Sequence, residues 1–533
     1  MQGPALRIAR EMGIEVIAAD ADPGAFCIPL ADRFENIDLK DKEGIEALAR
    51  SLMEESGLGG IMTAGTDFSA TVAWASEKLG LPGINYEAAL DASDKGRMRQ
   101  RFKEAGIPSP EFVVVENPPG DTFALPFSFP VVVKPVDNMG SRGCRRVDSA
   151  LELNTAVSDA LKFSRSGRAI IEVYMEGPEF SVDALISNGE IVICGIADRH
   201  IFFPPYFIEM GHTMPTSIDA SIVSLLLETF CRGVKALGIG NGAAKGDIKL
   251  TSRGAMIGEI AARLSGGYMS GWTYPYSTGV LPTRGAIEIA LGKKPSCLRP
   301  KWAWTAAERA FISIPGKVSS IEGVEMARAM PWVKDVFTRI GPGSIVSFPE
   351  NNVTKCGNVI SAAEDREDAI NSAEKAVRSV LIRLDSPNKD TDDFLAVSPS
   401  AERSSFPPNA FALDSRLLSL LAAIPENTAG KGDYQLFDFP EFMKSSLRDY
   451  VGRSVKESLD AVRTLSGRKL SIFKADSLRE KSRMEKSTME KSQMENCLIN
   501  ETNILGRPFW QAFIRGGYQG AVYYIDSLRR GDA

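Results

Sequence analysis

The stretch GDIKLTSRGAMIGEIAARLSGG, residues 246–267, reads as a β-hairpin. Two runs of strand-forming residues flank Ser252-Arg253-Gly254, and a three-residue hairpin loop calls for a residue able to adopt φ > 0 at its end, which Gly254 supplies. With that loop Thr251 pairs with Ala255, and counting outward places Asp247 opposite Glu259. Directly opposed residues share a face with Cβ atoms about 4.5–5.5 Å apart, where like charges repel. A hard divalent ion such as Mg²⁺, held by one or two carboxylates together with substrate phosphates, resolves the conflict economically. Arg263 and the turn Ser265-Gly266-Gly267 follow at once, offering a cation and a flexible backbone to anionic oxygens. The alternative is a solvated hairpin whose acids never meet.

Upstream, SIVSLLLETFCRGVKALG (221–238) is an amphipathic helix leading into the hairpin. Before it, DRHIFFPPYFIEMGHTMPTS (198–217) reads as a long aromatic loop carrying Arg199, Glu209 and His212. Aromatic rings beside charges suit a pocket for a small polar metabolite, or else a loop pinned to the core. AIIEVYMEGPEFSVDALI (169–186) gives strand, Gly-Pro turn and strand. Glu172 lies in its apolar run, and a buried acid is costly without a partner, so it pairs internally or meets a ligand. FSFPVVVKPVDNMGSRGCRRVD (127–148) is a buried strand ending in Lys134, a polar loop and a second strand. A loop with Gly140, Ser141 and Gly143 can offer backbone N–H groups to phosphates, and Lys134 a point charge to the same oxygens. It is not a Walker loop, and an ordinary hairpin with a salt-bridged lysine reads equally well.

ASDKGRMRQRFKEAGIPSP (92–110) is a basic helix capped by Ser93 or Asp94, with Lys95 near its start. Residues 1–90 alternate helix and strand: helices at 1–13, 45–55 and 71–80, strands at 15–20 and 59–65. That alternation implies a parallel sheet covered by helices. The strand that normally opens such a unit has no counterpart here, as in a truncated start or a differently built edge.

Downstream, residues 271–288 connect into a helix ending near Leu291. Residues 303–384 show short strands between glycines and close on the helix DREDAINSAEKAVRSVLIRL, a compact α+β cap. The Pro/Ser/Asp-rich segment 385–409 reads as a linker. Three helical runs follow at 413–424, 441–465 and 507–528. A five-residue repeat at 480–496 fits no helical period and reads as a solvated insertion.

At 533 residues the chain holds three to four domains, and 44% apolar with 24% charged residues is ordinary for a globular protein. A net charge of −6 argues against a nucleic-acid partner held by a basic surface. Seven scattered cysteines without a CxxC pair suit reduced thiols in the cytoplasm. No apolar run is long enough for a membrane span. With only two histidines, a triad built on His is disfavoured, and chemistry must rest on carboxylates, Lys, Arg and a bound ion.

Four stretches in this order, ASDKGRMRQRFKEAGIPSP, FPVVVKPVDNMGSRG, IIEVYMEGPEFSVD and GDIKLTSRGAMIGEIAARLSGG, together resemble the ATP-grasp superfamily. The branch is that of biotin carboxylase, carbamoyl-phosphate synthetase and the L-amino-acid ligases, and the resemblance covers residues 1–384. It implies a Rossmann-like pre-ATP-grasp α/β domain (1–94), an ATP-grasp domain (95–295) and an α+β C-terminal cap (296–384). The linker 385–409 and a helical extension (410–533) lie beyond it. The resemblance implies Lys95 and Lys134 on the nucleotide and its phosphates, and a loop around Gly140, Ser141 and Gly143 closing over them. Glu172 with the backbone near Tyr174 and Met175 would hold adenine, and Glu179 the ribose. Asp247 and Glu259 would ligate Mg²⁺, or Mn²⁺ in its place, and Arg263 would steady the transferred phosphoryl group. More weakly, Arg199, Glu209, His212, Gly266 and Gly267 would face the substrate.

One departure is chemical: the family often has Glu-x-Asn-x-Arg, where this chain has Glu259-Ile260-Ala261-Ala262-Arg263, and alanine cannot ligate. The implied activity is ATP-dependent carboxylate–amine ligation through an acyl phosphate, with ATP and Mg²⁺ as cofactors and a small acid and an amine as partners. Two alternatives are a purine-pathway or carboxylase-type enzyme using formate or bicarbonate, and a nucleotide-binding scaffold. The C-terminal helices suggest a homodimer or a protein partner.

Overall fold

The computed structural model describes residues 2–120, 123–296, 298–401, 406–428, 431–465, 470–473 and 502–531; the repeat at 480–496 lies outside them. The chain opens with α1 (Gly3–Glu11), β1 (Ile17–Asp20), β2 (Arg33–Asn36), α2 (Lys42–Ser56), α3 (Ser69–Leu79) and α4 (Tyr86–Ser93). The Asp41 side chain caps α2 by accepting from Gly44 N–H, Gly57 ends it at φ 76°, and Ile45, Ala49 and Leu52 form its buried face. β1 and β2 pair in parallel. The strand expected at 59–65 makes a single bridge, Ala64 with Leu264. Its glycines are pressed against a helix end instead: a Cβ at Gly60 would lie 2.3 Å from the Ala290 carbonyl oxygen.

Next come α5 (Lys95–Glu104), β3 (Phe112–Val115), β4 (Val131–Pro135), β5 (Arg145–Val147), α6 (Ala150–Phe163) and β6 (Ala169–Val173). The strands form a four-stranded antiparallel sheet in the order β3-β6-β4-β5. One face packs Val131, Val133 and Ile171 on Ala156, Val157 and Ala160 of α6.

The chain then crosses at residues 174–178 into a second sheet. Both strands expected at 169–186 are present, one in each sheet. β7 (Glu179–Ser187), β8 (Glu190–Phe202), β9 (Ile208–Met214), α7 (Ala220–Ala236), β10 (Gly242–Thr251) and β11 (Gly254–Ala261) follow. The expected aromatic loop 198–217 is the β8–β9 hairpin, because its aromatics sit at the turn and its charges on the paired strands. α7 buries Leu226, Phe230 and Val234 against Ile248, Ile257 and Ile260 of the sheet and Met98 and Phe102 of α5.

After the short α8 (Tyr274–Thr278) and α9 (Pro282–Ala290) come β12 (Thr305–Phe311), β13 (Gly316–Glu322), α10 (Val324–Arg328), β14 (Val333–Thr338), β15 (Ile345–Val346), β16 (Gly357–Ala363), α11 (Arg366–Ser379) and β17 (Leu381–Leu384). β12 pairs with β9, so one sheet runs β11-β10-β7-β8-β9-β12-β16-β14 through both regions. The run expected as a closing helix ends in β17, where β-branched and leucine residues after Ser379 pair with β13.

The remainder is not purely helical. The segment read as a linker contains α12 (Lys389–Ala396), whose Phe394 and Leu395 are buried. α13 (Ser415–Ala423), β18 (Lys431–Phe437), α14 (Pro440–Met443), α15 (Val455–Leu465), β19 (Ser471–Phe473) and β20 (Thr502–Leu505) precede a C-terminal helix, Arg507–Gly531, kinked at Gly517. β18 pairs in parallel with β19 and β20 over a core including Phe411, Phe442, Trp510 and Phe513. The helix expected over 441–465 is split because the Asp449 carboxylate accepts from the N–H groups of Val451 and Arg453 and from Ser458, fixing a loop. Among the described residues no helix is long and apolar enough to cross a membrane.

The crossover between the sheets has little room. Gly177 has φ 137°, and a Cβ there would sit 2.0 Å from the Leu250 carbonyl oxygen. Gly177→Ala is expected to destabilise by roughly 2–4 kcal/mol, from backbone strain plus overpacking. Chemical denaturation measures it, and an unchanged midpoint would refute it.

Candidate active site

The hairpin that opened the sequence reading reaches its expected pairing by another route. Thr251 pairs with Gly254, leaving a two-residue loop, and a bulge in β11 leaves Gly258 unpaired opposite the Asp247–Ile248 step of β10, so Asp247 still faces Glu259. The freed Gly258 carbonyl accepts from the Arg99 guanidinium at 2.5 Å. A second bulge does comparable work in β9. Arg199 pairs with His212 and Ile201 with Glu209, so Met210 is the extra residue. Glu209 and His212 stand three apart, which in a regular strand places them on opposite faces; across the bulge His212 Nε2 lies 3.6 Å from Glu209 Oε2.

These strands and the four-stranded sheet enclose a cavity of about 360 Å³. Every candidate residue named from the sequence lines it except Gly143. A Cβ at Gly143 would meet Phe163 and Ala160, so this glycine lets the loop pack on α6. Gly140 and Ser141 keep φ 66° and 60° in the loop over the cavity.

At the end formed by β4 and α5, Glu172 is buried between two cations, Arg99 Nε at 2.8 Å and Lys134 Nζ at 2.7 Å. Burial works to raise its pKa, but Arg99 and Lys134 outweigh it and hold the carboxyl below the usual range. Each oxygen of the Glu172 carboxylate thus meets one cation, and the residue still lines the cavity. Lys95, buried at the start of α5, donates to the Asn138 carbonyl at 2.9 Å and lies 3.4 Å from Glu259. It ties the glycine loop to the hairpin. Beside the crossover, Tyr174 stacks with Phe207, Arg146 lies 4.7 Å from its ring centroid, and Lys249 donates to the Met175 carbonyl. That is a slot with aromatic walls and backbone edges.

At the other end Arg199 binds Glu209 at 2.9 Å, Asp247 at 3.3 Å and Glu179. Burial opposes its charge, yet Asp247, Glu179 and Glu209 raise its pKa well above the ordinary value. Arg199 thus organises three acids. His212 Nδ1 lies 3.0 Å from Glu308, and its buried Nε2 has no hydrogen-bond partner. Arg263 lies 3.6 Å from Asp67 and donates to the Leu264 carbonyl. Ser265 and Ser270 donate to Asp183, whose pKa burial pushes up to about 6. Gly267 is needed where it stands: a Cβ would lie 2.9 Å from a Glu209 oxygen and 3.3 Å from the His212 ring.

The sequence reading missed Arg99, Glu308, Asn352 and Lys355. Asn352 donates to Ser141 Oγ at 3.3 Å, accepts from Glu209 N–H at 2.8 Å, and its own N–H donates to the Gly140 carbonyl at 2.9 Å. Lys355 donates to the Glu209 carbonyl at 2.6 Å. Both lie over 140 residues from those partners, so no local signal marks them. Arg99 sits one turn after Lys95, and its burial against an acid in an apolar strand was the one pairing the sequence hinted at.

The donor set suits a divalent ion only sparingly. No group of three or more metal-binding side chains occurs among the described residues. Glu259, with a side chain 33% exposed, is the accessible carboxylate on the cavity wall. A Mg²⁺ ion needs only one or two protein carboxylates when phosphates complete its shell, so the residues fit such an ion.

A profile described as "ATP-grasp domain" matches residues 127–271, and one described as "L-amino acid ligase C-terminal domain 2" matches 310–385. The chain is similar to an uncharacterized protein, y4rH, of Sinorhizobium fredii (25% identity, 70% of this chain and 78% of that one). It is also similar to carnosine synthase 1 of Gallus gallus (25% identity, 54% of this chain, and only 33% of that enzyme's length). Its fold is shared with the crystal structure of an L-amino acid ligase from Bacillus licheniformis (TM-score 0.63, 22% identity, 72% of this chain and 96% of that one).

Proposed function

The chain belongs to the ATP-grasp superfamily, and on that premise we propose that it is an ATP-dependent ligase joining a small carboxylic acid or amino acid to an amine. The observation that carries this reading is one cavity with two unlike ends. Lys95, Lys134 and the Gly140–Ser141 loop form an end for phosphates, and the Arg199–Glu209–His212 cluster forms an end for a small polar substrate. Such a pocket suits a molecule carrying both a carboxylate and an amino group, since Glu209 and the orphaned His212 Nε2 lie beside the cations.

In this reading adenine enters the slot by Tyr174, with the crossover backbone at its edge. Lys134 and Lys95 neutralise phosphate oxygens, and N–H groups of the glycine loop orient them. Glu259 would hold Mg²⁺ against the phosphates, which when bound supplies positive charge to the transferring oxygens. The substrate carboxylate oxygen bonds to the γ-phosphorus as the bond to the ADP oxygen breaks, giving an acyl phosphate and ADP. The amine then bonds to the acyl carbon, the C–O bond to phosphate breaks, and the amine's proton leaves with inorganic phosphate. Phosphoryl transfer asks mainly for positioning and charge, so no nucleophilic side chain is required. The glycine loop, held down by Asn352, keeps water from the acyl phosphate.

The test is phosphate release from ATP–Mg²⁺ across pools of carboxylic acids and amino acids, each with and without an added amine. Release that needs both acid and amine is expected. Release with bicarbonate or formate alone would assign the one-carbon chemistry instead, and nucleotide binding without release would leave a scaffold. Asn352→Ala, which frees the loop from β9, is expected to raise KM for ATP about three- to tenfold, the value of one or two lost hydrogen bonds. An unchanged KM would show that the loop closes without it.

A further inference from the structure

The two facing acids of the β10–β11 hairpin are unlike in what already occupies them. Asp247 has both oxygens engaged by the protein: Oδ1 accepts from Lys245 Nζ and from Ser181 Oγ at 3.0 Å, and Oδ2 lies 3.3 Å from Arg199. Glu259 meets a single cation, Lys95, at 3.4 Å, and is the more exposed of the two. An ion at Asp247 would have to displace a lysine and a guanidinium from a largely buried carboxylate. An ion at Glu259 displaces little.

The register explains why Lys245 is there. It stands directly opposite Ala261 and two residues before Asp247, so all three lie on the hairpin face that lines the cavity. Cross-strand neighbours compete for the same few ångströms. A methyl group at 261 supplies no ligand and leaves the lysine stem free to cross toward Asp247. The lysine ammonium has three donors, and Asp247 takes one. The rest are available to an acceptor on the cavity side, where Lys245 is part of the wall. Alanine at 261 and lysine at 245 are thus two halves of one arrangement.

We propose that this site uses one divalent ion, on Glu259, and that the Lys245 ammonium, anchored on Asp247, stands in for a second ion and binds the nucleotide's phosphate oxygens directly. The proposal rests on the ATP-dependent reading above. It replaces a charge of +2 that exchanges with solvent by a charge of +1 fixed in the chain. Nucleotide binding should then need only one ion, and no second ion should add to it at high concentration.

The test counts ions on the full chain. Protein saturated with a non-hydrolysable ATP analogue (the β,γ-imido compound) is titrated with Mn²⁺. Bound ion is measured from the loss of the free Mn²⁺ paramagnetic resonance signal, and retained nucleotide by absorbance after rapid filtration. One Mn²⁺ per retained nucleotide is expected. The double variant Lys245→Ala/Ala261→Asp is expected to bind two. Lys245→Gln should weaken nucleotide binding about tenfold at saturating Mn²⁺, and Lys245→Arg, which keeps the charge, should restore most of it. Two ions on the unaltered protein, or a double variant still at one, would overturn the proposal alone. Failure to retain nucleotide at any Mn²⁺ concentration would overturn the ATP-dependent reading and this inference with it.

Discussion

Glu259→Gln is expected to lower kcat for ATP-dependent ligation by at least about a hundredfold, the scale on which a group stabilising transferring charge acts. The change removes the formal charge that an ion on this wall needs, yet keeps the shape and length of the side chain. Glu259 is the least buried of the cavity's acids and meets only Lys95, so the fold should tolerate the amide, with Tm within about 2 °C of the parent. ADP release measures the first effect, and thermal unfolding followed by circular dichroism the second. Lys134→Ala makes a useful contrast. It takes a point charge from the phosphate end while leaving Glu172 its bond to Arg99, so nucleotide affinity should fall about tenfold. Undiminished ATP-dependent turnover in both variants would sink the assignment of this cavity as the reaction site.

Arg99→Met is expected to destabilise the protein by about 3–5 kcal/mol, because it breaks a buried ion pair from one side. Arg99 is fully buried, and its guanidinium serves both Glu172 and the carbonyl that the Gly258 bulge sets free. Without it a buried carboxylate keeps only Lys134, and a buried carbonyl keeps nothing from that side. The double variant Arg99→Met/Glu172→Met should recover more than half of the loss, since removing both charges also removes their desolvation cost. Shifts in urea midpoint measure both. A single variant as stable as the parent would mean that the Arg99–Glu172 pair is dispensable to the fold.

Several elements were legible because they depend on neighbouring residues. The amphipathic period of α7, the cap and glycine stop of α2, and the valine run of β4 each encode their own conformation and the face they bury. Glu172 was legible in another sense: an acid in an apolar run must have a partner. Its identity was not, since Arg99 is 73 residues away. The 198–217 stretch failed as a loop because three prolines and four Phe and Tyr residues outweigh, by composition, a strand pairing that only β7 and β12 on either side make favourable. The C-terminal sheet escaped notice because three short parallel strands have no local signature until helices cover them.

What the sequence by itself determined is the order of the elements through the hairpin, the glycine loop, the charged face of the hairpin and part of the set of residues that line one cavity. Tertiary structure decided which of those groups remain available to a ligand. Two bulges, at Gly258 and Met210, change the side of a strand on which Glu259 and Glu209 stand, and a bulge is fixed by the partner strand rather than by its own residues. Long-range pairing did the rest. Arg99 and Lys134 occupy Glu172, Arg199 draws three acids together, and Lys245 occupies Asp247, because a buried charge takes whatever opposite charge the fold brings within reach.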